Sequence, residues 1–246
     1  MFHPLRELAA SVLLFALFAA PSAAAEDGPL ADLPRFDGSA VLQGRALVSV
    51  TEPLVASERR VIRPEAAGLE VVLELFRAAP PDAADQALAE LPEPSLTTAP
   101  DIEAALIDAL IRSYGATGRP GAPLDDPDGL AVPSAEGARS LAARHPGQGI
   151  AVNIRIRHHG LELSGPDGQP LAKGAEAHLS YTISYTASLI DLQTGDLLAV
   201  AACSGTRALG RLREIAPTSA FDIAAIAIAE GCIETIIDQI QQSAGG

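Results

Sequence analysis

Four groups of residues have types and spacings that could do chemistry. They are Cys203 and Cys232, the adjacent His158 and His159, the acidic stretch LDDPDGLAVPSAEG, and a row of hydroxyls from Ser180 to Ser188. The cysteines are the only two in the chain. A bridge between them closes a loop of about 29 residues, worth roughly 3.6 kcal/mol if it acts on unfolded-chain entropy. The alternative is two buried free thiols. There is no CxxC, third sulfur ligand or suitably spaced histidine, so no metal site is expected. His158 and His159 would point to opposite faces of a strand and cannot share a metal; they read as a solvent-exposed strand end. In the acidic stretch, Gly129 at position 6 of a calcium loop puts Asp126 and Asp128 at positions 3 and 5. Leu124 and Ala135 then occupy positions 1 and 12, and Glu136 falls one residue late, so the stretch reads as an Asx-rich turn. The chain contains no G-x-S-x-G, phosphate loop or dinucleotide fingerprint, and Ser204 has no arguable His–Asp partners. The expectation is therefore no catalytic residue, no cofactor and no enzyme activity.

The hydroxyl row is the remaining candidate. Leu179, Tyr181, Ile183, Tyr185, Ala187 and Leu189 alternate with Ser180, Thr182, Ser184, Thr186 and Ser188. One face of this strand is apolar and meant for a core. The other bears five hydroxyls and no charge, in a chain of formal charge −14. The expected neighbour, Ile150–Arg157, adds Asn153, Arg155 and Arg157 to that face. Three readings compete. The row is solvated, since Ser and Thr are acceptable in strands; it is a protein-partner surface, since uncharged polar groups tolerate burial better than charges; or Arg155 and Arg157 make it an anion site.

These residues need elements to position them. Alternation predicts strands over 41–50, 69–76, 150–157, 179–191 and 197–204, with a hairpin DLQTGD turning at Gly195. Helices are expected over 81–91, capped by Asp82, and over 98–115, with a Thr98/Asp101 capping pattern and a stop at Gly115. A short helix spans 134–145. The clearest helix is 221–242, where Ile226, Ala229, Ile233, Ile236 and Ile240 recur at helical spacing. Cys232 on this helix and Cys203 at the end of the last strand come together if the helix lies across the sheet. Residues 116–133 read as a mobile Pro/Gly/Asp loop. The order predicts an α+β fold, a mostly antiparallel sheet with helices packed on one face.

Residues 1–25 read as a signal peptide. Arg6 precedes a short apolar run, Leu8–Ala20, followed by Pro21–Ser22 and an A-x-A site ending at Ala25. No cysteine follows that site, and no later run is long enough to span a bilayer. The expected organisation is this leader, a flexible arm over 26–40 and a single domain over 41–246, in the periplasm or secreted. The acidic balance argues against nucleic acid, which needs a basic surface. Lack of Trp and scarcity of other aromatics argue against stacking platforms for sugars or bases.

The strand, Asp191-x-x-Thr194-Gly195-Asp196 hairpin, strand and Ala-rich final helix resemble accessory domains of bacterial envelope proteins of the curli-assembly and TolB amino-terminal types. That resemblance covers about a quarter of the chain and implies a non-catalytic assembly or binding role with an envelope protein as partner. The alternatives are a binding protein for a small anionic or amphipathic ligand and, third, a secreted hydrolase.

Overall fold

The computed structural model describes residues 33, 35–51, 57–63, 83–94, 99–118, 123–125, 134–147, 149–215 and 217–245. The expected leader, the strand over 69–76 and Asp126 and Asp128 of the calcium-like loop lie outside them.

The sheet is built on three long strands. β5 (Ile150–Ser164), β6 (His178–Asp191) and β7 (Leu197–Arg211) pair antiparallel, with β6 in the middle. The β6–β7 turn closes as expected, the Gly195 N–H donating to Asp191 O at 2.8 Å with Gly195 at φ 78°. Among the described residues four shorter strands join the sheet: β1 (Ala46–Thr51), β2 (Glu58–Val61), β3 (Thr117–Gly118) and β4 (Leu124–Asp125). Both β1 and β2 run parallel to β5, β1 against Ile150–Val152 and β2 against Gly160–Leu163. β3 and β4 pair parallel with β1. The fold is α+β, but the sheet is mixed and not mostly antiparallel. The helices between β2 and β5 supply the long crossover that a parallel return requires.

Those helices are α2 (Ala83–Ala89), α3 (Ala99–Tyr114) and α4 (Ala135–Arg144). Gly115 at φ 66° ends α3, and its N–H returns to Ile111 O. Ser134 caps α4, its Oγ accepting from the Gly137 N–H at 3.1 Å. The expected arm and strand onset near Val41 are replaced by a short helix, α1 (Gly38–Leu42), capped by Asp37. α1 is held by fit. Leu42 is fully buried, and a Cβ at Gly38 would lie 2.6 Å from Tyr114 Cε1 and 2.9 Å from Ala244 Cβ. The last helix, α5 (Pro217–Ser243), extends the expected span by a few residues at its start.

The main core lies on one sheet face. Ile150, Val152, Ile154 and Ile156 of β5 and the six apolar residues of β6 are buried beneath Ile102, Leu106 and Leu110 of α3 and Ile228, Ile236 and Ile240 of α5. Gly205 of β7 lets α5 approach: a Cβ there would sit 2.7 Å from Ile228 Cγ2. β5 runs past the expected end at residue 157 because of a bulge. Pairing jumps from Ile156–Tyr185 to His158–Ser184, leaving Arg157 opposite no residue of β6. The extra residue reverses the phase, so odd positions now face the core. His159, Leu161 and Leu163 are buried, and the His159 ring meets Tyr181 edge-on. The pair is therefore no exposed strand end: His159 is core, and only His158 is partly exposed.

Helices are not confined to one face. Ala138 and Leu141 of α4 pack with Val48, Val50, Ala151, Ile190 and Leu192 in a second cluster. The four strand positions among them, Val48, Val50, Ala151 and Ile190, face away from the main core. The sheet is apolar on both sides near the hairpin, and α4 covers the second side.

Candidate functional site

The second sheet face carries the hydroxyl row, and the register decides its neighbours. Opposite Ser180, Thr182, Ser184, Thr186 and Ser188, β5 places Glu162, Gly160, His158, Arg155 and Asn153. On the other side β7 places Ala208, Thr206, Ser204, Ala202 and Val200. The bulge thus puts His158, rather than Arg157, beside Ser184. Arg155 is half-buried next to Thr186, while Arg157 is exposed.

The row divides into two halves. Thr186 and Ser188 are buried, at 1% and 2% exposure, at the end where Ile190 joins the cluster under α4. Thr186 Oγ1 has no hydrogen-bond partner among the described residues. Ser180, Thr182 and Ser184 are half-buried, and Ser204 and Thr206 beside them on β7 are exposed. In this open half the hydroxyls bond within the sheet. Thr182 Oγ1 and Thr206 Oγ1 are 2.8 Å apart, Ser184 Oγ donates to His158 O at 3.4 Å, and Ser180 Oγ to Glu162 O at 3.5 Å. A hydroxyl whose one proton is used internally offers the outside an acceptor and, for Thr, a methyl group. Its flank on β2 carries charge: Arg60 pairs with Glu162, and His158 Nδ1 lies 3.6 Å from Glu58. The result is an uncharged polar patch with a charged rim.

Three polar clusters lie elsewhere. Arg45 clamps Asp191 bidentately, with Nη2–Oδ1 at 2.8 Å and Nη1–Oδ2 at 3.3 Å, and also reaches Gly149 O. Asp191 is 6% exposed and its Oδ1 accepts from the Gln193 N–H too. Sequence reasoning saw Asp191 only as a hairpin residue, because its partner is 146 positions away. Secondly, Arg59 donates to the carbonyls of Leu88, Ala89 and Leu91, closing the C-terminal end of α2, and pairs with Glu93. Bonds from Ser57, reinforced by Arg59, hold the Glu93 carboxyl below its ordinary range. Thirdly, Glu103 on α3 is half-buried below β1. Burial raises its carboxyl above the ordinary value, partly opposed by a hydrogen bond from Ser49.

Glu103 makes folding pH-dependent. An acid whose folded pKa is raised contributes most stability while protonated, and that contribution is lost as pH climbs through the ordinary value toward the raised one. Glu103→Gln is therefore expected to stabilise the protein at neutral pH and to change little below about pH 4. Urea unfolding at the two pH values checks this, and an equal effect at both removes the titration.

Cys203 and Cys232 form a disulfide, with Cα atoms 5.5 Å apart, tying β7 to α5. Among the described residues no group of three or more His, Cys, Asp or Glu is placed to hold a metal. None of the described helices is long and apolar enough to cross a membrane.

No family model matches the chain, and no curated protein does. Among solved structures it is similar to a neuraminyllactose-binding hemagglutinin homolog from Helicobacter pylori. The identity is 8% over 87% of this chain and 88% of that one, at a TM-score of 0.25, too low for the likeness to carry an argument.

Proposed function

We propose that this chain is an exported, periplasmic interaction module without catalytic chemistry. Its contact surface is the open half of the hydroxyl face: Ser180, Thr182 and Ser184 with Ser204 and Thr206. The observation that carries this is a sheet patch with no charge at its centre, where three of the five hydroxyl protons are donated inside the sheet. Covering such a patch costs little desolvation, whereas a charged strand face would resist burial. The Cys203–Cys232 bridge supports an oxidising compartment, in keeping with the leader expected over residues 1–25. The resemblance of the Asp191–Asp196 hairpin and final helix to envelope accessory domains supports an envelope partner.

Thr182→Arg tests the reading. The side chain is half-exposed, so the change should stay within about 0.5 kcal/mol of stability, while envelope proteins retained by the wild-type chain in a pull-down should be lost. An identical set of retained proteins with both chains would sink the proposal. Thr186→Arg is the contrast. That site is buried, and an unpaired charge there should cost several kcal/mol and unfold the domain before any binding is measured.

A further inference from the structure

Among the described residues β7 is the last strand of the sheet, and one side-chain bond reaches its outer edge: the Ala202 N–H donates to Gln239 Oε1 of α5 at 2.9 Å. That bond sets the phase of the strand. Ala202 turns its backbone polar groups away from β6, so by alternation Ser204, Thr206 and Ala208 do the same. The close hydroxyl contact of Thr182 with Thr206 agrees, since side chains approach most closely in non-hydrogen-bonded pairs. All three residues are exposed. Among the described residues their outward N–H and C=O groups meet no protein partner. Such an edge is a template for another strand.

We propose that this edge pairs with the same edge of a second copy of the chain, antiparallel about a two-fold axis through Thr206. In that register Thr206 faces Thr206 of the second copy and Ser204 faces Ala208. The free groups then form three hydrogen-bonded pairs, about six N–H···O=C bonds. Neighbouring registers are worse. An axis through Gly205 uses Ala202, whose N–H is already taken by Gln239. An axis through Arg207 sets two guanidiniums against each other. With the axis on Thr206, Arg207 lies opposite Gly205, which has no side chain. The strand itself, Leu197–Arg211, contains no acidic residue, so the charge of −14 is not concentrated at the joint. At its far end Gly210 takes φ 109° and Arg211 is engaged by Glu176 and Glu214, which keeps the ladder short.

The pairing would extend the sheet across two copies, with Thr182, Thr206 and their counterparts in one row. It does not rest on the envelope-partner reading, because it uses backbone edge groups and is tested on the purified chain alone. A contact this short belongs to the weak, transient class, so the dimer should fill as concentration rises through the micromolar range.

Sedimentation equilibrium over that range is the first measurement; a chain that remains monomeric throughout overturns the proposal. Thr206→Pro removes the central N–H without touching the β6 ladder, and should leave a folded monomer at every concentration. A dimer that persists in this folded variant also overturns it. Thr206→Cys gives a second readout. At the two-fold axis its Cα atoms would be about 5.5 Å apart, so a short thiol cross-linker should join the copies without reductant. Ser204→Cys would be offset by four residues, about 13 Å, and should not cross-link alone, but should do so when mixed with Ala208→Cys. Equal cross-linking at Ser204 and Thr206 refutes the register. If the purified chain stays monomeric and Thr206→Pro abolishes only capture from extract, the edge serves a different protein.

Discussion

Asp191→Ala is expected to lose about 3 to 5 kcal/mol of folding stability, the range for breaking one side of a buried ion pair. Asp191 is 6% exposed, and its two oxygens bond both terminal nitrogens of Arg45 while Oδ1 also accepts the Gln193 N–H. Removing the carboxylate strands an arginine whose side chain is only 28% exposed, leaving it one long bond to Gly149 O. The hairpin loses its internal acceptor in the same step. Those effects converge where the sheet is tightest. Arg45 leads into β1, Gly149 precedes β5, and a Cβ at Gly149 would lie 2.2 Å from Ala46 O. Asp191→Asn preserves shape and part of the bonding, and should cost less than the alanine change. Urea unfolding of Asp191→Ala, Arg45→Met and the double variant gives the coupling. If the clamp is real, the double variant is more stable than the sum of single losses implies. Additive losses would mean the two side chains act independently.

Removing the disulfide should be the other large loss. Cys203→Ala with Cys232→Ala opens a loop of sequence separation 29, about 3.6 kcal/mol by chain entropy. For a domain of this size that corresponds to a melting temperature lower by about 7 to 14 °C. Cys232 is 1% exposed, so some of the loss comes from packing, and reduction of the wild-type chain separates the two by breaking the bond without removing sulfur. The damage should be local first. The bridge fixes α5 on β7, and Gln239 of α5 covers the Ala202 edge group. Hydrogen exchange in α5 should rise before that of β5 and β6. Uniform exchange across all three elements would show that the bond acts on the whole fold alone.

Much of the frame was readable because local patterns carry it. Strict alternation over Leu179–Leu189 identified β6 and its buried face, since period two leaves a half-buried strand no other choice. The helical spacing of α5 and the Gly115 stop are backbone chemistry, resolved within a few residues, although Ile226 of the expected stripe is 50% exposed and Ile228 lies in the core instead. The cysteine pairing followed from two cysteines and the packing phase of each.

Tertiary structure decided the rest. Alternation says which residues share a face, but not which strand lies alongside or in which direction, so the parallel pairing of β1 and β2 with β5 left no local mark. A single extra residue at Arg157 reversed the phase of β5 and carried His159 into the core; nothing in its flanking residues announces the bulge. Five hydroxyls of one strand read as equivalent in the sequence. They are not equivalent in the fold, because α4, contributed by residues 135–144, covers the sheet beside Ser188 and leaves Thr182 open. Arg45 and Asp191 meet for the same reason: burial and pairing depend on what the chain brings from far away, and a one-dimensional pattern records only what each residue requires.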